Sequence, residues 1–328
     1  VLLYNTIEVI FMKLISIVVP MYNEEEMASL FFQEVTKVLS TLQDYDYEIV
    51  AVNDGSKDAT LEIVKEEQDK NNKIVIVNLS RNFGHEPALF AGLQTARGDA
   101  VIPMDADLQD PPAVIPELIK KWEEGYQVVN ARRASRKEDS FLKRKTAGMF
   151  YAWSNKISNK VKMPQNVANF RLIDRRPLNE VLAFGEKNRV FRVQVPYVGF
   201  KVCEVLFSRP KRSKGVSKYN PKAMFSLAIS STISLTVRPL EWSIGLTIGL
   251  GLIMVLSWVS ELVFFILQLS QVFFIGSLAL WAWLIINIVL SVGTLIMFVI
   301  AILSQYIAKN TIETLARPAV IIDEVIRK

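Results

Sequence analysis

Between residues 13 and 131, short apolar runs alternate with longer segments whose apolar positions recur every three or four residues. The runs are Leu14–Pro20, Tyr47–Val52, Ile74–Leu79, Ala100–Met104 and Tyr126–Ala131. Several are almost continuous Val, Ile and Leu, which predicts strands covered on both faces. The segments near 24–40, 58–71, 85–97 and 113–124 predict the covering helices. Alternation of this kind predicts an α/β fold with a doubly wound, mostly parallel sheet. Residues 138–208 read as an α+β extension, with a basic amphipathic helix at 141–159 and a strand at 200–207.

Further along, the pattern changes. Met224, Phe225, Ala228, Ile229, Ile233 and Val237 form one apolar stripe, with Ser226, Ser230 and Ser234 on another face. Leu227 and Leu235 blur the stripe, so a helix in a membrane interface and a helix packed on protein both account for it. Two apolar spans follow at 242–267 and 273–305, each long enough to cross about 30 Å of hydrocarbon. No Lys or Arg occurs between Arg238 and Lys309, so the positive-inside rule places both basic flanks in the cytoplasm. Glu261 reads first as a side chain snorkelling near the end of the first span, with a functional acid as the other reading. Two helices enclose no transport path unless they oligomerise, so the pair reads first as an anchor. The expected plan is a leader or cloning remnant at 1–12, whose last residue Met12 resembles a natural start, and an α/β domain at 13–218. A juxtamembrane amphipathic helix at 219–240, a two-helix anchor at 241–305 and a cytoplasmic tail at 306–328 complete it.

With 328 residues, 51% of them hydrophobic, the chain has ample material for a core. The net charge of +5 is concentrated at 132–145 and 209–222, just before the apolar region. Beside a membrane such clusters meet lipid headgroups or phosphates. No recognisable nucleic-acid module accompanies them, so nucleic acid is not an expected partner. Cys203 is the single cysteine, which excludes intrachain disulfides and thiolate metal sites. His85 is the single histidine; it excludes a His-based zinc site and reads as a polar residue opening a helix.

Ligands of doubly wound sheets bind beyond the carboxyl ends of the strands. The polar motifs fall there: Tyr22-Asn23-Glu24, Asn53-Asp54-Gly55-Ser56, Ser80-Arg81-Asn82 and Asp105-Ala106-Asp107. Two carboxylates at i and i+2 across a strand-to-loop bend can converge on one hard cation. Mg²⁺ or Mn²⁺ takes such oxygen ligands together with donor phosphates; Gln109 is a further candidate contact, and a solvated acidic loop is the plain alternative. Asn53 to Asp58 reads as a turn with Ser56 or Asp58 capping a helix, and Asp54 as an acceptor for a nucleobase. Glu24 reads as a first-turn acid favoured by the helix dipole, or as a ribose contact with Tyr22 stacking nearby.

Val-Pro-Met-Tyr-Asn-Glu-Glu, Asn-Asp-Gly-Ser-Lys-Asp-Ala-Thr, Ser-Arg-Asn-Phe-Gly-His-Glu-Pro-Ala-Leu, Met-Asp-Ala-Asp-Leu-Gln-Asp-Pro-Pro, Asn-Phe-Arg-Leu and Lys-Gly-Val-Ser-Lys-Tyr appear in that order. From about Lys13 to Lys309 the chain resembles the polyprenyl-phosphate glycosyltransferases of glycosyltransferase family 2. It is particularly like the bacterial bactoprenol glucosyltransferases, and similar to dolichol-phosphate mannose synthases. The resemblance implies a GT-A fold, an inverting transfer and a divalent metal. It implies that Pro20, Tyr22, Glu24, Asp54, Arg81 and Asp105 face the nucleotide sugar, and that Asp105, Asp107 and Gln109 hold Mg²⁺ or Mn²⁺. Arg132, Arg133, Arg212, Lys214, Ser217 and Lys218 fall where the family grips the acceptor phosphate and the departing diphosphate. Asp107, Arg171 and Asn169 fall at the catalytic positions. For any one Arg or Lys taken alone, a solvated surface charge is the ordinary reading. The implied protein is an oligomeric enzyme of the bacterial inner membrane, with both termini cytoplasmic.

A lipid phosphate is ionised near neutral pH, so its oxygen can attack an anomeric carbon without a dedicated general base. The protein must instead hold two anions together, which calls for basic side chains and a metal. Similarity in Asn53 to Asp58 and in Lys143-Arg144-Lys145-Thr146-Ala147 favours UDP-glucose; mannose, N-acetylhexosamine and an amino-pentose are the other donors in view. One departure stands out: Ala168-Asn169-Phe170-Arg171-Leu172 occupies the place of Gly-Asp-Phe-Arg-Leu in many relatives. Asn keeps the shape of Asp and loses its charge, so a reaction that needs the carboxylate would be slow here. A processive polysaccharide synthase would carry Gln-x-x-Arg-Trp and more membrane helices. A non-catalytic nucleotide-sugar-binding subunit would lack the metal pair or the acceptor bases. The chain has neither pattern.

Overall fold

Alternation along the central strands sorts their side chains into two cores. The computed structural model of the protein describes residues 12–134, 167–186, 189–208 and 278–328, with single helical positions between 248 and 266. In β1 (Lys13–Met21), Ile15, Ile17 and Val19 enter one core and Val18 the other. In β2 (Tyr45–Asn53), Ile49 and Ala51 oppose Val50 and Val52; in β3 (Ile74–Leu79), Ile74 and Ile76 oppose Val75 and Val77. Helices must therefore cover both faces. On the first lie α1 (Ala28–Leu39), α2 (Thr60–Lys70) and α4 (Ile115–Glu123); α1 buries Ala28, Phe31, Phe32, Val35 and Leu39 at helical spacing. On the second lie α3 (His85–Thr95), α5 (Arg175–Leu182) and α6 (Phe191–Tyr197). Gly92 lets α3 approach closely, because a Cβ there would sit 2.4 Å from Val18 Cγ1 and 2.8 Å from Val52 Cγ2.

With β4 (Ala100–Pro103), β5 (Val128–Arg133), β6 (Val167–Asp174), β7 (Val202–Phe207) and β8 (Ile322–Ile326), the described residues form an eight-stranded sheet of order β7-β5-β6-β4-β1-β2-β3-β8. β1 pairs in parallel with β2 and β4, and β2 with β3. β6 runs antiparallel to β4 and β5, and β8 antiparallel to β3. These two reversals enrich one edge of the sheet. The starts of β6 and β8 lie there together with the carboxyl ends of β1 to β5.

The expected α/β sheet is present, and Ile74–Leu79 is a strand with the bounds read from sequence. The segment read as a helix from 24 turns first through 22–27 and becomes helical at Ala28. The expected helix at 141–159, the basic loop at 209–220 and the stripe at 224–237 lie outside the described residues. Of the first apolar span only isolated helical positions are described. The second is α7 (Leu278–Thr314), which continues past the expected end at 305. Its 37 residues extend over roughly 55 Å. Within it, Ser291–Ala308 is the one segment among the described residues long and apolar enough to cross a membrane.

Residues 1–228 and 318–328 form one compact unit, and 229–317 another. The expected tail is thus the end of α7 followed by a strand of the α/β unit. That strand is tied at its far end. Arg327 Nη1 donates to Glu48 Oε2 at 2.8 Å and Nη2 to Thr95 O at 2.6 Å. Glu48 is buried, and its Oε1 accepts from Ser16 Oγ at 2.6 Å and Arg97 N at 2.5 Å. Gln68 Nε2 donates to Ile326 O at 3.0 Å.

Candidate active site

Side-chain oxygens lace the loops after β1 and β2 into one piece. Asp54 N donates to Met21 O at 2.9 Å. Asn23 sits at φ 51, a left-handed conformation Asn tolerates. Its N–H donates to Ser56 Oγ at 3.1 Å, and its Oδ1 accepts from Lys57 N at 2.9 Å. Glu24 N donates to Thr60 Oγ1 at 2.9 Å, and Ala59 N to Glu25 Oε2 at 3.0 Å. Asp58 accepts from Thr60 N at 3.1 Å, but it stands one residue ahead of Ala59, the N-cap of α2, which carries no side-chain cap. Pro20 is buried at the end of β1, and Tyr22 and Glu24 are half-buried beyond it.

A third loop, between β3 and α3, joins through Asp54. This carboxylate is 2% exposed and accepts from Phe83 N at 2.7 Å and Gly84 N at 3.0 Å. Burial pushes its pKa up, against the pull of the two amides and of nearby His85 and Arg81. Gly55, at φ +62, presses on the same loop: a Cβ there would lie 2.4 Å from the Arg81 carbonyl carbon and 2.6 Å from Asn82 N. Asp54, read from sequence as a nucleobase contact, here orders the loop beside it. Arg81 donates to Asn82 O at 3.0 Å and its guanidinium lies 4.1 Å over the Phe83 ring.

At the end of β4, Met104 N donates to Val18 O at 2.9 Å, and the chain turns out of the sheet. Asp105 and Asp107 are half-exposed on either side of buried Ala106. Gln109 N donates to Asp107 Oδ1 at 3.1 Å. Leu108 between them adopts φ 54, unusual for a branched side chain and costly by about 1–3 kcal/mol. Its packing against the larger core holds the turn in place. Among the described residues no cluster of three or more His, Cys, Asp or Glu gathers. A half-exposed pair of carboxylates suits a hard divalent cation that completes its shell with phosphate and water oxygens, so the residues present fit Mg²⁺ or Mn²⁺.

His85, the first residue of α3, bridges these groups. Its Nε2 lies 3.8 Å from Asp105 Oδ1 and 3.4 Å from Asn169 Nδ2. From sequence it reads only as a helix opener; its position three residues after Asn82, at the edge where the other motifs fall, is the available signal. Asn169 reaches the site because antiparallel β6 starts at that edge. Its Oδ1 is buried with no hydrogen-bond partner among the described residues. Arg171 is wholly enclosed: Nη2 donates to Ala168 O at 2.6 Å, and the guanidinium lies 5.4 Å over Phe191. Arg132 pairs with Glu204 at 2.8 Å, and Arg133 follows it at the end of β5. Arg212, Lys214, Ser217 and Lys218 lie outside the described residues.

Known proteins match this arrangement at length. The family described as Glycosyl transferase family 2 matches residues 16–182. A prophage bactoprenol glucosyl transferase homolog of Escherichia coli K12 is 39% identical over 313 residues, 95% of this chain and 99% of the relative. The bactoprenol glucosyl transferase of Shigella phage SfX is 37% identical over 94% of this chain and 98% of its own length. An uncharacterised glycosyltransferase of Synechocystis is 44% identical over 69% of this chain and 71% of that protein. The α/β domain is accordingly of the GT-A type, and the chain belongs to glycosyl transferase family 2.

Proposed function

We propose that the protein transfers one sugar, glucose from UDP-glucose, to a polyprenyl phosphate at the cytoplasmic face of a bacterial membrane, inverting the anomeric carbon. The observation that carries this reading is the nearly end-to-end match to bactoprenol glucosyl transferases, which takes in the site loops and the apolar C-terminal region alike. The nucleotide lies against Pro20, Tyr22, Glu24, Asp54 and Arg81. Asp105 and Asp107, with Gln109, hold the divalent cation, which when bound neutralises charge on the departing diphosphate.

The acceptor phosphate is its own nucleophile. The chain therefore has to align two mutually repelling groups and keep water from competing. Arg132, Arg133, Arg212, Lys214, Ser217 and Lys218 supply positive charge for that alignment. Arg171 supports the backbone at Ala168 from within, beside Asn169. Asn169→Asp is expected to raise kcat about tenfold with little change in the donor KM, by giving the His85 ring a charged partner. Steady-state kinetics of the variant checks this; an unchanged or lower kcat would assign the neutral side chain to the working site.

Chain connectivity supports the two-span anchor. β7 ends at Phe207 and β8 begins at Ile322, and both belong to one sheet. A chain that leaves such a unit, crosses a bilayer and returns must cross an even number of times. If α7 supplies one crossing, a second is required, and 242–267 is the apolar stretch available for it. Self-association through the helix faces of such an anchor is part of the proposal.

The test is transfer of labelled glucose from UDP-glucose into the lipid fraction of vesicles containing undecaprenyl phosphate. Transfer should stop with EDTA and return with Mg²⁺ or Mn²⁺. Labelling from another nucleotide sugar alone would change the donor, and no labelling from any would overturn the reading.

A further inference from the structure

β8 does more than close the edge of the sheet. Asn78 stands opposite Glu324 and Leu79 opposite Ile322, and the ladder shifts register between Asn78 and Leu79. At that shift Ser80 N donates to Ile321 O at 3.1 Å. Asn78 Nδ2 donates to Asp323 Oδ2 at 3.3 Å, across 245 residues of chain. Asn78 Oδ1 in turn accepts from Asn53 Nδ2 at 2.8 Å, and Asn53 Oδ1 accepts from Ser56 N at 3.2 Å. Directly beyond Ser80, the peptide of Arg81 and Asn82 lies against Gly55, and Phe83 and Gly84 hold Asp54. The start of the last strand therefore reaches both loops that flank the proposed nucleotide.

We infer that Ile321–Asp323 is a positioning element of the donor pocket, with Asp323 its key side chain. This rests on the nucleotide-sugar reading of those loops. Without β8, β3 would be an open edge, and the loop leaving it would lose the partner of its first amide. A loop that must order on binding costs affinity, and one ordered beforehand does not. The other end of the strand is fastened separately, by Arg327 to Glu48 and Thr95 and by Gln68 to Ile326, away from both loops. The two ends thus have separable duties: one fastens the strand and the other orders the pocket. Only 315–321 separate β8 from α7, so the segment that orders the donor loops is also the one that follows the apolar helix.

The full-length protein in lipid nanodiscs tests this, with UDP affinity measured by calorimetry and amide hydrogen exchange followed across 80–84. Asp323→Ala should weaken UDP binding about threefold and speed exchange at Ser80. Deleting 319–328 should weaken binding by roughly tenfold or more and speed exchange through Gly84. Arg327→Ala should lower Tm while leaving UDP affinity within about twofold, since its partners lie away from the loops. Wild-type exchange and wild-type UDP affinity in Asp323→Ala and in a cooperatively melting deletion would overturn the inference. If the deletion does not fold, Asp323→Ala decides by the same two readouts. If the unaltered protein binds no UDP, the nucleotide reading fails, and exchange across 80–84 still decides whether the strand orders the loops.

Discussion

Gly55→Ala should both destabilise the α/β domain and spoil its donor side. At φ +62 an alanine is strained by about 1–2 kcal/mol before any contact is counted. Its Cβ would meet three backbone atoms of Arg81 and Asn82 at 2.4, 2.6 and 2.8 Å. Backbone cannot rotate aside as a side chain can, so the 54–56 turn and the 80–84 loop must part. Parting breaks the hydrogen bonds from Phe83 and Gly84 to Asp54, which leaves a buried carboxylate poorly satisfied. Together these effects should cost about 3 kcal/mol or more, and lower Tm by roughly 6–12 °C. Gly185→Ala is the control, since a Cβ there meets nothing within 4 Å and its φ lies outside the left-handed region. Thermal melting of the two variants is the check. Equal and small shifts would contradict the close packing of the two loops.

Asp107→Ala should abolish transfer while leaving the fold alone. The side chain is half-exposed, its carboxylate accepts from Gln109 N, and it belongs to neither core. What it contributes in the proposed reaction is half of the anionic pair for a cation facing a leaving diphosphate. A fall in kcat of about 10³-fold is expected from losing that electrostatic support, with Tm unchanged. Retention of activity within about tenfold would remove Asp107 from the metal site. The same kinetics at several metal concentrations separates weakened metal binding from lost chemistry.

What could be read from sequence was whatever local pattern encodes. Strands β1 to β5 and their helices follow from short-range periodicity, and the motif loops from the rule that polar residues gather at carboxyl ends. β6 escaped because Asn169, Arg171 and Asp174 interrupt its apolar run, and its role depends on pairing antiparallel between β4 and β5. β8 escaped more completely. Ile-Asp-Glu-Val-Ile in a charged C-terminal stretch looks like a tail, and four of its five residues are exposed. Its placement comes from backbone pairing with β3 and from Arg327 meeting buried Glu48, contacts no local window contains. His85 was seen but undervalued for the same reason. Its proximity to Asp105 and Asn169 is a product of two strand ends and one helix start converging. Arg171 shows the converse: its motif was legible, its complete burial was not.

The central claim is that a lipid monophosphate attacks the sugar directly and receives one residue. Mass spectrometry and proton NMR of the lipid product formed from UDP-glucose and undecaprenyl phosphate test it most directly. The account predicts a single glucose joined to a lipid monophosphate in the β configuration, opposite to that of the donor. A polymer of sugars, a sugar on a lipid diphosphate, free glucose or an α linkage would contradict it.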